Sequence, residues 1–129
     1  MCFVLISDIA VFGGIKALVC APDGAPIASD RDASDLLSES FSSEAILIVV
    51  PAERLGEEFF RLRTGMAGAF IQKLMNYRRR LAVVGDVSRW IEQSEAFRDF
   101  VYEANKGRDV WFVADLAQLE ARLSNAITT

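Results

Sequence analysis

Two short apolar runs constrain this chain most. Ala45-Ile46-Leu47-Ile48-Val49-Val50 is continuous and is stopped by Pro51, and Leu81-Ala82-Val83-Val84 is ended by Gly85-Asp86. A strand with one wet face alternates apolar and polar residues, whereas an unbroken apolar run suits a strand buried on both faces. Such strands need a sheet with helices on either side. Between the runs, Met66, Phe70 and Leu74 recur at i, i+4 and i+8, with Ala67 and Ile71 beside them, so residues 64–78 are expected to form a helix. Val110-Trp111-Phe112-Val113 is a third strand of the same kind. Strands alternating with helices imply parallel strands joined by right-handed crossovers.

The remaining segments fit around that frame. Residues 3–12 and 15–20 are apolar and β-branched, and Gly13-Gly14 between them suits the positive φ angles of a tight hairpin. Pro22-Asp23-Gly24 is a turn signal, followed by a short extended piece over 25–28. Ser29 with Asp32 resembles a capping box, and Ala33, Leu36 and Leu37 share one face of a helix near 30–40. Residues 52–63 are charged and hold a short helix. Residues 94–105 place Phe97, Phe100, Val101 and Ala104 on one side, with Gly107 at the helix end. Asp115 with Gln118 opens a last helix carrying Leu116, Leu119 and Leu123. The expected order is ββαβαβαβα. The expected fold class is a single α/β domain over 1–129, with a mixed, mostly parallel sheet of four or five strands, an N-terminal hairpin and helices packed on it.

Composition then removes chemistries. The 129 residues include no histidine, which excludes the usual imidazole base, the Ser-His and Cys-His pairs and the commonest metal ligand. The two cysteines, Cys2 and Cys20, form no C-x-x-C pair, so neither a zinc site nor a thioredoxin-like site has its motif. No catalytic residue, cofactor or metal is expected. The net charge of −4 gives no global attraction to nucleic acid or anionic membrane. No apolar run approaches the roughly 20 residues of a membrane span, and the N-terminus lacks the basic start of a signal peptide, so the expected address is the cytoplasm.

Basic charge is nevertheless uneven. Residues 61–80 hold Arg61, Arg63, Lys73, Arg78, Arg79 and Arg80 and no acid. Arg61 and Arg63 precede Thr64-Gly65-Met66 at a helix start, where unpaired N–H groups and the positive dipole end favour an anion. A glycine there lets a ligand approach the backbone, and arginines fork onto phosphate or carboxylate. The bland alternative makes Thr64 an ordinary N-cap, Gly65 and Gly68 packing residues, and the arginines partners of Glu53, Glu57 or Glu58. Asp86 and Ser88 follow a central strand, where open α/β sheets bind ligands, or else only cap the next helical turn. The candidate ligand-binding set is therefore Arg61, Arg63, Thr64, Gly65, Met66, Asp86 and Ser88. Arg78-Arg79-Arg80 closes the helix, where cations complement its dipole; with only Tyr77 as an aromatic platform nearby, nucleic acid is not an expected partner.

The run Phe59-Phe60-Arg61-Leu62-Arg63-Thr64-Gly65-Met66-Ala67-Gly68 is followed by Gln72-Lys73, Asn76-Tyr77-Arg78 and Arg80-Leu81-Ala82-Val83-Val84-Gly85-Asp86. With Arg98-Asp99-Phe100-Val101-Tyr102-Glu103-Ala104-Asn105-Lys106-Gly107-Arg108, these segments resemble the bacterial family designated domain of unknown function 4180, from about Val11 to Leu123. That resemblance implies a similar length and brings no activity with it. By element order alone the chain also resembles STAS domains of the anti-sigma-factor antagonist type. In those, a phosphorylatable serine precedes a glycine at a helix start after a central strand. Here Thr64-Gly65 takes the comparable place, but the Asp-Ser-Ser-Gly pattern is replaced by Arg63-Thr64-Gly65. The functional expectation is a non-catalytic regulatory module binding a protein or a small anionic ligand. The alternative is a small enzyme acting on an anionic metabolite without metal or histidine. A homodimer is expected, with Trp90 or Phe97 at its contact.

Overall fold

Five strands form one sheet in the order β1-β2-β3-β4-β5, so neighbours in the chain are neighbours in space. The computed structural model describes residues 7–12, 14–20, 27, 30–61 and 65–128. β1 (Ser7–Phe12) and β2 (Ile15–Cys20) are antiparallel, with Phe12 opposite Ile15 across a two-residue turn. Gly14 in that turn has a φ of 85°. β3 (Leu47–Pro51), β4 (Arg80–Val84) and β5 (Val110–Val113) continue the sheet in parallel.

Right-handed crossovers between consecutive parallel strands all return over the same face. That face accordingly carries α1 (Asp30–Ser43), α3 (Met66–Asn76) and α5 (Glu95–Lys106). Leu36, Leu74 and Phe97 from these helices meet Ile48, Val50, Leu81, Val83 and Phe112 in one buried core. Leu47, Val49, Ala82, Trp111 and Val113 alternate to the other face and are covered by Leu119 and Leu123 of α6 (Leu116–Thr128). Both faces of β3 and β4 are thus dry, which is the reason their apolar runs do not alternate.

The long elements stand where hydrophobic period placed them, and the differences lie at their ends. β3 begins at Leu47 because the Ala45 N–H donates to the Ser40 carbonyl at the end of α1, and Ile46 is left 43% exposed. Residues 52–63 hold a 3-10 turn over Ala52–Arg54 and one turn of helix, α2 (Glu57–Phe60). An additional helix, α4 (Ser88–Gln93), follows β4; six residues are too few to show a helical period. The Asp115–Gln118 box forms: the Gln118 N–H donates to Asp115 Oδ1 at 2.8 Å and the Ala114 N–H to Gln118 Oε1 at 2.7 Å. Cys2, Ser29 and all of residues 21–26, with the turn expected at Pro22-Asp23-Gly24, lie outside the described residues. Phe97 is fully buried within the chain and so has no surface to offer a dimer contact; Trp90 keeps some.

Asn105 ties three elements together. Its Oδ1 accepts the Phe112 N–H at 2.7 Å, and its carbonyl accepts from the Arg122 guanidinium on α6 at 2.7 Å. The guanidiniums of Arg80 and Arg122 both lie on the Trp111 ring, at 4.8 and 4.1 Å from its centroid.

Candidate functional site

The carboxyl ends of β3 and β4 turn away from each other's path in opposite styles, and a cleft opens between them. β3 ends at Pro51, which cannot extend the ladder, and the chain coils into the 3-10 turn. The turn is pinned where the Arg54 carbonyl accepts the Ile27 N–H, and the Arg54 side chain is buried beneath it. β4 ends at Gly85, whose φ is 139°, a conformation L side chains rarely adopt. A β-carbon there would also stand 3.0 Å from Ala52 Cβ. Glycine is therefore required twice, by its dihedral angle and by the approach of the 3-10 turn.

Asp86 comes next. Its Oδ1 accepts the Ser88 N–H at 2.9 Å and the Ser88 hydroxyl at 2.6 Å. Those bonds, the hydroxyl foremost, hold the Asp86 carboxyl below the usual carboxylate range. The group is exposed and ionised at neutral pH, which suits a fixed acceptor and not a proton donor. The same turn launches α4, which sets Arg89 and Trp90 over the opening. Trp90 stacks flat on Phe60, with centroids 4.9 Å apart and planes within 6°, and Phe60 is in turn held edge-on by Phe59 and Phe97. The Arg89 guanidinium lies 4.5 Å from the centre of the Trp90 ring.

The resulting cleft has a volume of about 550 Å³. Its polar walls are Glu53, Asp86 and Arg89; its apolar walls are Leu55, Phe60 and Trp90, with Ala52 and Gly85 at the strand ends. It presents two carboxylates, one cation and an anchored aromatic plane. Among the described residues no group of three or more His, Cys, Asp or Glu is placed to hold a metal ion, and no helix is long and apolar enough to cross a membrane.

Of the residues singled out in the sequence, Asp86 lines this cleft, and Ser88 acts through it by fixing its carboxylate. Gly65 and Met66 begin α3 on the same edge of the sheet but are not among the cleft's walls. Gly65 has a φ of 79°, which explains the glycine; a β-carbon at Gly65 or Gly68 would meet nothing within 4 Å, so neither is there for close packing. Arg61 is engaged by Glu57 one helical turn earlier. Arg63 and Thr64 lie outside the described residues.

Glu53, Phe60, Arg89 and Trp90 escaped sequence reasoning. The signal that points to them is positional: they belong to the short segments that follow β3 and β4 on the carboxyl side of the sheet. No curated protein and no solved structure matches the chain. A family model described as a domain of unknown function, DUF4180, matches residues 12–123, and the chain belongs to that family.

Proposed function

We propose that this protein is a non-catalytic, cytoplasmic binding module whose ligand enters the cleft between the ends of β3 and β4. The observation that carries the reading is the Phe60–Trp90 stack bordered by Glu53, Asp86 and Arg89. The Trp90 ring is held between Phe60 and the Arg89 guanidinium, so the layered stack presents the outer guanidinium plane and the indole edge to a flat ring or a sugar face. Two carboxylates beside it accept hydrogen bonds from hydroxyl or amino groups, and Arg89 answers an anionic substituent. The ligand class is a small cyclic molecule bearing donors, with at most one anionic group facing Arg89. A polyanion is disfavoured by Glu53 and Asp86. The lowered Asp86 pKa supports binding over proton transfer, because a general acid or base works best with a pKa near the operating pH. The element order shared with STAS domains supports a regulatory use for such a site, by analogy of topology alone.

The test is thermal-shift screening of cyclic hydroxylated and aminated metabolites against the parent, Asp86→Asn and Trp90→Leu, followed by titration of each hit. A charge-assisted hydrogen bond is worth about 1.5–3 kcal/mol, so Asp86→Asn should weaken a true ligand ten-fold or more. Hits that bind all three proteins equally, or a screen in which no compound binds the parent, would refute the cleft as the binding site.

A further inference from the structure

The opposite edge of the sheet, where the parallel strands begin, carries a different surface. A row of backbone bonds fixes it: the Ile46 N–H donates to the Lys16 carbonyl at 3.2 Å, the Arg80 N–H to the Ile46 carbonyl at 2.8 Å, and the Leu81 N–H to the Asp109 carbonyl at 2.8 Å. Adjacent strands lie about 4.8 Å apart, so the row from Lys16 to Asp109 spans about 14 Å. Arg80 Nε also donates to the Arg108 carbonyl at 2.7 Å, which brings the end of α5 onto the same row. The ends of α1 and α3 add Phe41 and Tyr77, whose rings meet edge-to-face at 5.8 Å. Arg79 lays its guanidinium 4.4 Å from the Phe41 centroid and donates through Nε to Ser40 Oγ at 3.0 Å.

Lys16, Arg78, Arg79, Arg80 and Arg108 thus share one edge, with Glu44, Glu103 and Asp109 as acids near it. None of the five cations makes a carboxylate ion pair among the described residues. Lys16, Arg78 and Arg108 are exposed, and their side chains have no hydrogen-bonding partner there. Phe41 and Tyr77 are 45% and 51% exposed, so two large rings stand half in water amid this charge. In the sequence Tyr77 is the aromatic residue beside the basic run; the fold delivers Phe41 from a helix more than thirty residues earlier.

We infer that the Phe41–Tyr77 pair and the unpaired cations Lys16, Arg78 and Arg108 form a docking surface for single-stranded nucleic acid. The cations answer phosphates, and the Tyr77 ring and the Arg79 guanidinium plane layered on Phe41 offer surfaces on which bases stack. An acidic peptide would use the cations but has no need of stacked planes. A bilayer would be met by apolar side chains projecting freely, whereas Phe41 is capped by Arg79. The net charge of −4 does not forbid this surface, because steering depends on the local field and the acidic cleft edge lies at the other end of the strands. This inference is independent of the cleft.

The test uses the full chain and a fluorescently labelled 12-nucleotide polypyrimidine RNA, with fluorescence anisotropy read from 50 to 200 mM salt. Three unpaired cations predict a slope of log K against log salt of roughly −2, at about −0.7 per phosphate neutralised. The double variant Arg78→Gln/Arg108→Gln should bind ten-fold or more weakly and flatten the slope by about 1.4. Tyr77→Ala should weaken binding several-fold with the slope unchanged, because it removes stacking and no charge. Asp86→Asn, at the far edge, should bind as the parent does, and circular dichroism reports that every variant is folded. Absence of binding at 50 mM salt, or binding that none of the variants alters, overturns the proposal. So does equal or tighter binding of a duplex, of poly-glutamate or of phosphatidylserine vesicles.

Discussion

Gly85→Ala is the sharpest probe of how the cleft is built. Two costs arise at once. An alanine held near a φ of 139° occupies sparsely populated backbone space, at about 1–3 kcal/mol. Its β-carbon also stands 3.0 Å from Ala52 Cβ, an overpacking cost of about 1–2 kcal/mol, since Ala52 itself packs on the core and has little room to yield. Against these, alanine restricts the unfolded chain and returns about 0.5–1 kcal/mol. The net expectation is a loss of about 2–3 kcal/mol, a large part of the stability of a domain this size. Urea unfolding followed by circular dichroism reads it as a lower midpoint with an unchanged slope. The two costs separate in a double-mutant cycle with Ala52→Gly, which removes the steric contact and leaves the dihedral strain. The double variant should therefore be about 1 kcal/mol more stable than the sum of the two single losses. A Gly85→Ala protein within 0.5 kcal/mol of the parent would refute the strained strand end, and strict additivity in the cycle would refute the contact.

Two further outcomes follow from the titratable groups. Ser88→Ala removes the hydroxyl that chiefly depresses Asp86, so the Asp86 carboxyl, followed by carbon-13 NMR, should titrate higher in the variant than in the parent; an unchanged titration would show that the hydroxyl is not what holds it. In the parent, whatever stability this depression contributes is complete above the ordinary aspartate pKa and is lost as pH falls through the lowered one. Burial pushes the Cys20 thiol from 9.0 up to about 12, against the pull of Arg54, so at pH 8 only about one molecule in ten thousand carries the thiolate there. Iodoacetamide at pH 8, read by peptide mass mapping, should spare Cys20 in the native protein and label it in urea; comparable rates in both would contradict its burial. Because the folded pKa is the higher one, this group favours folding below about pH 9 and progressively less as pH rises toward 12.

Much of the architecture was legible in the chain. Ile48, Val50, Leu81 and Val83 had to be covered on one face and Leu47, Val49 and Ala82 on the other, because a run without polar alternation admits no wet side. The Asp115–Gln118 box and the turn at Gly14 are equally local: their partners lie within four residues, so spacing is enough to find them. The cleft was not legible in this way. Glu53, Phe60, Gly85 and Trp90 come from three short segments whose lengths are below a helical or strand period, and only the parallel register that sets Pro51 beside Val84 brings those segments together. The far edge repeats the lesson with charge. The basic run at 78–80 reads as an ordinary helix end until the sheet places Lys16, Ile46 and Arg108 beside it and α1 brings Phe41 onto Tyr77. Hydrophobic period reports how deeply each residue is buried within its own element, and it carries no record of which element lies next to which. Strand order and register supply that record, and they are decided by the packing of the whole chain.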